Sequence, residues 1–182
     1  MPIEKIFHVN IVVRDLDRSL PFYRDILGMR IAEPIFIGEG PPMGGIGLGA
    51  EAYGFRSERD VKVRGVFLRF GNDETEAFID LLEFIQPRSI GGPYSTLHNI
   101  GIARIALKVS DIDQSYKELL SKGVKFITPP VRVLIGENYL ADIRYCCFYD
   151  PDGTILELYG PGGSSSRSGG GRASGPKAKS KR

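Results

Sequence analysis

From Ile6 to Val13 the chain reads Ile-Phe-His-Val-Asn-Ile-Val-Val, β-branched and apolar with polar residues at alternate positions. That period predicts a strand with Phe7, Val9, Ile11 and Val13 on a wholly apolar face and Ile6, His8, Asn10 and Val12 on the other. Leu20, Tyr23, Ile26 and Leu27 then recur at helical spacing, with Asp17 placed to cap the helix, Pro21 in its first turn and Gly28 to close it. Further strands are predicted at 29–37, 64–70 and 77–86. The same order then returns: a strand at 102–109, a helix from Gln114 to Lys122 closed by Gly123, and strands near 124–127, 142–149 and 154–159. The turn signal Asp150-Pro151-Asp152-Gly153 joins the last two.

The two halves match residue by residue. The stretch from His8 to Ser19 recurs from Arg104 to Ser115, 96 positions on, and Leu81-Leu82-Glu83-Phe84 matches Ile155-Leu156-Glu157-Leu158, 74 positions on. Repetition of this kind predicts two copies of one βαβββ module, an α+β chain with modules at 1–88 and 89–161, linked through Pro87 to Pro93. The extra length of the first copy is mostly Gly38 to Asp60. Its glycines are interrupted by Pro41-Pro42 and no helical stripe follows, which argues against a phosphate loop and for a loop over a pocket. The match places His8, Glu83, Arg104 and Glu157 at equivalent points. Strand parity turns all four away from the helices, so they are expected to converge in one cleft.

Charge changes the picture at one end only. The net charge is +2, yet six basic residues and no acidic ones follow Gly162, so the rest of the chain carries −4. The tail, 162–182, is rich in Gly, Ser, Lys and Arg and lacks apolar periodicity, which predicts disorder and, at most, weak salt-sensitive contact with nucleic acid or another polyanion. No run of 18 apolar residues and no signal-peptide pattern is present, so the expectation is a cytoplasmic protein with no membrane span. Cys146 and Cys147 are adjacent in a strand, point to opposite faces and are read as reduced packing residues. His98 is read as a surface residue.

The pattern from His8 to Ser19, the run Phe22-Tyr23-Arg24-Asp25-Ile26-Leu27-Gly28, and Phe148-Tyr149-Asp150-Pro151-Asp152-Gly153-Thr154-Ile155-Leu156-Glu157-Leu158 resemble the vicinal oxygen chelate superfamily over about residues 5–160. Glyoxalase I, methylmalonyl-CoA epimerase, extradiol dioxygenases, and the fosfomycin-resistance and bleomycin-binding proteins belong to that group. The resemblance implies paired modules forming a cupped mixed sheet, helices on its outer face, around a divalent metal. By resemblance the ligand positions fall on His8, Glu83, Arg104 and Glu157. Arg104 departs from the histidine usual at its position, and a guanidinium cannot ligate. Beside a dication it carries a repulsion of about 8 kcal/mol at 4 Å and an effective dielectric near 20.

Two readings follow. Either one divalent metal (Zn, Ni, Mn, Mg or Fe) is held by His8, Glu83 and Glu157, or Arg104 lies between Glu83 and Glu157 as the cation of a metal-free site, the reading preferred here. The resemblance implies an isomerase or lyase acting on a small oxygenated substrate through a cation-stabilised enolate. Glu157, Glu83 and Arg104 would be catalytic, and Asn10, Arg104 and Tyr159 would bind substrate. The alternative is a metal-free small-molecule binding protein of the bleomycin-resistance type, for an antibiotic or aromatic ligand, to which Tyr139, Tyr145, Tyr149 and Tyr159 are suited. A ring-cleaving dioxygenase would need a second histidine that neither repeat supplies. A small-molecule ligand and a homodimer are the expected partners.

Overall fold

The computed structural model describes residues 2–32, 35–39, 53–56, 61–71, 76–135 and 138–163. The first half contributes strands β1 (His8–Val12), β2 (Arg30–Ile31), β3 (Phe36–Glu39), β4 (Lys62–Arg69) and β5 (Phe78–Gln86), with helix α1 (Leu16–Pro21) running into a π-helical turn at Phe22–Ile26. The second contributes β6 (Ile105–Lys108), helix α2 (Ile112–Ser121), β7 (Val131–Ile135), β8 (Asn138–Tyr149) and β9 (Ile155–Pro161). Two mixed sheets result, ordered β1-β5-β4-β2 with β3 also on β4, and β6-β9-β8-β7. In both, the first strand of the half pairs parallel to the last, and the other pairings are antiparallel. Most of the stretch from Gly38 to Asp60 and the tail beyond Gly163 lie outside the described residues.

Alternation decides the core. Ile11, Val13, Val66, Leu68, Ile79 and Leu81 of the first sheet share one cluster with Cys146, Phe148, Leu156 and Leu158 of the second and with Leu16, Leu20, Ile112 and Leu119 of the helices. A separate small cluster of Val61, Val63 and Leu82, with Tyr53, Phe55 and Phe84, covers the other face of the first sheet. β5 is therefore buried on both faces.

Element ends differ from expectation for identifiable reasons. Asp15, not Asp17, caps α1: its Oδ1 accepts from the N–H of Asp17 at 2.9 Å and of Arg18 at 3.3 Å. Asp111 caps α2 in the same way, accepting from Gln114 N at 3.0 Å, so that helix also starts two residues before the expected Gln114. Residues 125–127 pair with β8 only briefly, through Tyr149 N to Lys125 O and Ile127 N to Cys147 O. Pro129-Pro130, lacking N–H groups, end that pairing, and the chain rejoins the sheet at β7.

Candidate active site

The ladder registers reveal which residues are equivalent. Val13 N donates to Leu82 O and Val109 N to Tyr159 O, each at 2.9 Å. Val13 and Val109 are 96 positions apart, as the first repeat requires, but Leu82 and Tyr159 are 77 apart rather than 74. The register Asn10 opposite Asp80 and Ala106 opposite Glu157 agrees. The counterpart of Glu157 is therefore Asp80, and the expected pairing of Glu83 with Glu157 is corrected by three residues.

An odd shift reverses the face. Glu83 lies on the helix side, buried, where Oε2 accepts from Leu16 N at 2.9 Å and Arg64 Nε at 2.7 Å, and Oε1 from Arg88 Nη1 at 2.9 Å. It anchors the start of α1, helped by Arg64 reaching Asp17 at 2.9 Å. Glu83 is thus neither catalytic nor a metal ligand in this geometry, because both of its oxygens are committed to the fold on the opposite face from Asp80.

On the face turned from the helices, each sheet carries one carboxylate. Asp80 is 1% exposed; its Oδ2 accepts from Asn10 Nδ2 at 2.6 Å, and its Oδ1 is buried without a partner. Burial raises its pKa, partly offset by His8 and the Asn10 hydrogen bond. His8 sits among Phe7 and Phe67, ring centroids 5.5 and 5.6 Å away, with Nδ1 buried and unpartnered. Asn10, expected to bind substrate, is committed to Asp80.

In the second sheet Glu157 is 4% exposed and Arg104 Nε stands 2.7 Å from its Oε2. Cys147, directly opposite on β8, approaches the same oxygen at 3.7 Å. The Arg104 guanidinium carbon lies 5.7 Å from the Tyr145 ring centroid, a cation–π contact. Burial raises the Glu157 pKa, while Arg104 and the Cys147 contact pull it back. Burial also raises both thiols, Cys146 to about 12, and both cysteines are buried and reduced as expected. A cavity of about 270 Å³ is lined by Arg104, Tyr145, Glu157 and Tyr159.

Asp80 and Cys147 are the residues that sequence reasoning missed. The signal for Asp80 was present: Ile79-Asp80-Leu81 matches Leu156-Glu157-Leu158 as an apolar–acid–apolar triplet as well as Leu82-Glu83-Phe84 does. His98 is exposed, as expected.

The set His8, Glu83 and Glu157 does not fit a metal ion. Glu83 faces away, Glu157 is neutralised by Arg104, and among the described residues no group of three or more His, Cys, Asp or Glu is disposed to hold one.

A sequence profile of the Glyoxalase/Bleomycin resistance protein/Dioxygenase superfamily matches residues 5–158. The chain belongs to that superfamily. Among relatives of this superfamily member, a probable lactoylglutathione lyase of Synechocystis sp. is 30% identical over 153 residues, covering 84% of this chain and 92% of that one. In three dimensions it resembles a glyoxalase family protein from Bacillus cereus (TM-score 0.68, 20% identity, 90% of this chain and 97% of the other). It also resembles the trypanothione-dependent glyoxalase I of Leishmania major (TM-score 0.54, 21% identity, 87% of each chain). The two structural likenesses establish the superfamily fold of cupped, paired modules. Among the described residues no helix is long and apolar enough to cross a membrane.

Proposed function

We propose that this glyoxalase-superfamily chain is an isomerase or lyase that moves a proton between carbons of a small substrate bearing vicinal oxygens, with Glu157 as base and Arg104 as the fixed cation. The observation that carries this reading is the buried Glu157 carboxylate with the half-exposed Arg104 guanidinium 2.7 Å from it. Both contacts to Glu157 fall on Oε2, so Oε1 is the atom that takes the proton. A carbonyl oxygen of the substrate accepts from the terminal nitrogens of Arg104. Glu157 removes the C–H proton of the adjacent hydroxyl-bearing carbon, and the electron pair moves onto the carbonyl oxygen as an enediolate. The hydroxyl proton then passes to that oxygen as Glu157 delivers its proton to the former carbonyl carbon, leaving the carbonyl on the neighbouring carbon. The preorganised guanidinium supplies the charge that a metal would otherwise bring. Tyr145 holds it over the cavity, and Tyr159 walls the substrate. The description of the Synechocystis relative as a probable lactoylglutathione lyase supports a 2-hydroxyacyl or 2-oxo compound as substrate.

Incubating candidate 2-oxo and 2-hydroxyacyl thioester substrates in D₂O and following deuterium uptake by NMR tests this. Glu157→Gln should slow exchange by roughly 10²–10⁴-fold and Arg104→Gln by roughly 10²–10³-fold. Undiminished exchange in either variant removes that residue from the mechanism. A second reading, a binding protein without turnover, draws on Tyr145 and Tyr159 standing as cross-strand neighbours on one cavity wall. It predicts ligand binding with no deuterium uptake in any case.

A further inference from the structure

Arg104 lines two cavities. Besides the one it shares with Glu157, it borders a gap of about 350 Å³ between the outer edges of β1 and β6, within the size range of small-ligand sites. One wall of this gap is the linker that follows β5. Arg14 holds that wall in place, donating through Nη2 to Gly91 O at 2.9 Å and through Nη1 to Asp152 Oδ1 at 3.2 Å. Inside, Ser89 Oγ is buried and, among the described residues, has no hydrogen-bond partner. Around the mouth stand Val12, Ile90, Tyr94 and Ile102, of which Ile90 is 96% and Ile102 74% exposed. Exposed aliphatic side chains gathered round a recess that holds an unsatisfied hydroxyl and a guanidinium describe an amphipathic ligand.

We propose that the β1–β6 gap binds an aliphatic monocarboxylate, its carboxylate received by Arg104 and Ser89 and its hydrocarbon body laid on Val12, Ile90 and Ile102. Two features select this class. The Nε of Arg104 stands 2.7 Å from Glu157, and the terminal nitrogens of a guanidinium match a carboxylate in the plane. The apolar wall is mainly β-branched aliphatic, which favours a chain over a stacked ring. The inference rests on the reading of Arg104 given above, as a fixed cation that borders both this gap and the Glu157 cavity.

Calorimetric titration of the full chain with octanoate, octanamide and acetate tests it. Octanoate should bind at least tenfold more tightly than either of the others, because octanamide lacks the charge and acetate lacks the chain. The double variant Ile90→Ser/Ile102→Ser, altered at exposed positions outside the core, should lose at least tenfold in octanoate affinity. Ser89→Ala should lose several-fold. Octanamide binding as tightly as octanoate, or the double variant binding octanoate like the wild type, would overturn the proposal. Glu157→Gln should keep octanoate binding while losing deuterium exchange. Exchange that persists in a wild type unable to bind octanoate therefore defeats this inference alone, and the converse defeats the proposed reaction alone.

Discussion

Glu157 and Glu83 are the same residue type, equally buried, on equivalent strands of a repeat, and their environments give them opposite duties. Glu83 accepts from a helix-start N–H and two arginines, so Glu83→Gln should lower the melting temperature by several degrees, because Arg64 is left partly buried beside a neutral amide. Deuterium exchange should be unchanged; loss of exchange with an intact fold would return Glu83 to the chemistry. Glu157, with Arg104 and Cys147 beside it, keeps a pKa raised by burial. Its active form is the carboxylate, so kcat/KM should climb with pH through a limb above the ordinary glutamate value of about 4.3. In Arg104→Gln that limb should move further up, because the charge that favours ionisation is gone. A limb that moves down in the pH profile contradicts the assignment. For stability the sign is the reverse: a raised folded pKa means the contribution is complete below the unfolded pKa and lost as pH rises through the folded one.

α1 is a short helix whose main role is to clamp the far half of the chain. Ser19 Oγ donates to Asp152 Oδ2 at 2.8 Å, Arg14 and Arg18 converge on Oδ1, and Tyr23 OH donates to Asp150 Oδ2 at 2.8 Å. The Asp150–Gly153 turn of the second half is thus held by four side chains from the first. Asp152 is buried, which alone would raise its pKa, but Ser19 and Arg18 outweigh this and lower it. Its contribution is therefore present above the ordinary carboxylate range and lost as pH falls through its depressed folded pKa. Asp152→Ala should cost about 3 kcal/mol, the lower end for a broken buried pair because both arginines are half-exposed, read by urea denaturation. A loss below 1 kcal/mol would mean that the clamp is incidental.

How much of this was legible in the chain depends on how many faces each element buries. β1 and β6 have one apolar face each, and alternation identified both that face and His8 and Arg104 opposite it. β5 reads Phe-Ile-Asp-Leu-Leu-Glu-Phe-Ile and buries Leu81 and Leu82 on opposite sides, so parity had nothing to choose between the two acids. Only the ladder to β1 resolves it. The split of the expected 29–37 strand into β2 and β3, and the displacement of 124–127 by β7, were hidden because pairing partners lie far along the chain.

Hydrogen bonds fix the last described residues to the second half. Gly162 N donates to Asp142 O at 3.0 Å and Gly163 N to Asp113 Oδ2 at 3.2 Å. Gly160 packs so closely on the Val109 carbonyl that a Cβ there would overlap it. Truncation after Gly163 should therefore leave the melting temperature within about 2 °C, whereas Gly160→Ala should lower it by more than 5 °C, a shift of the order of 1–2 kcal/mol for a domain of this size. Equal effects in calorimetry would place stabilising contacts beyond Gly163.

The two sheets carry the same carboxylate position but different company. Asp80 is held by Asn10 and faces His8, whereas Glu157 has a permanent cation beside it. A duplicated frame with like halves would accept a molecule either way round. In the second half a fixed positive charge stands directly on the carboxylate, whereas in the first Asp80 is held by the neutral Asn10 and the Arg69 guanidinium lies over the Phe78 ring, so the two halves offer an anion different fields as well as different shapes.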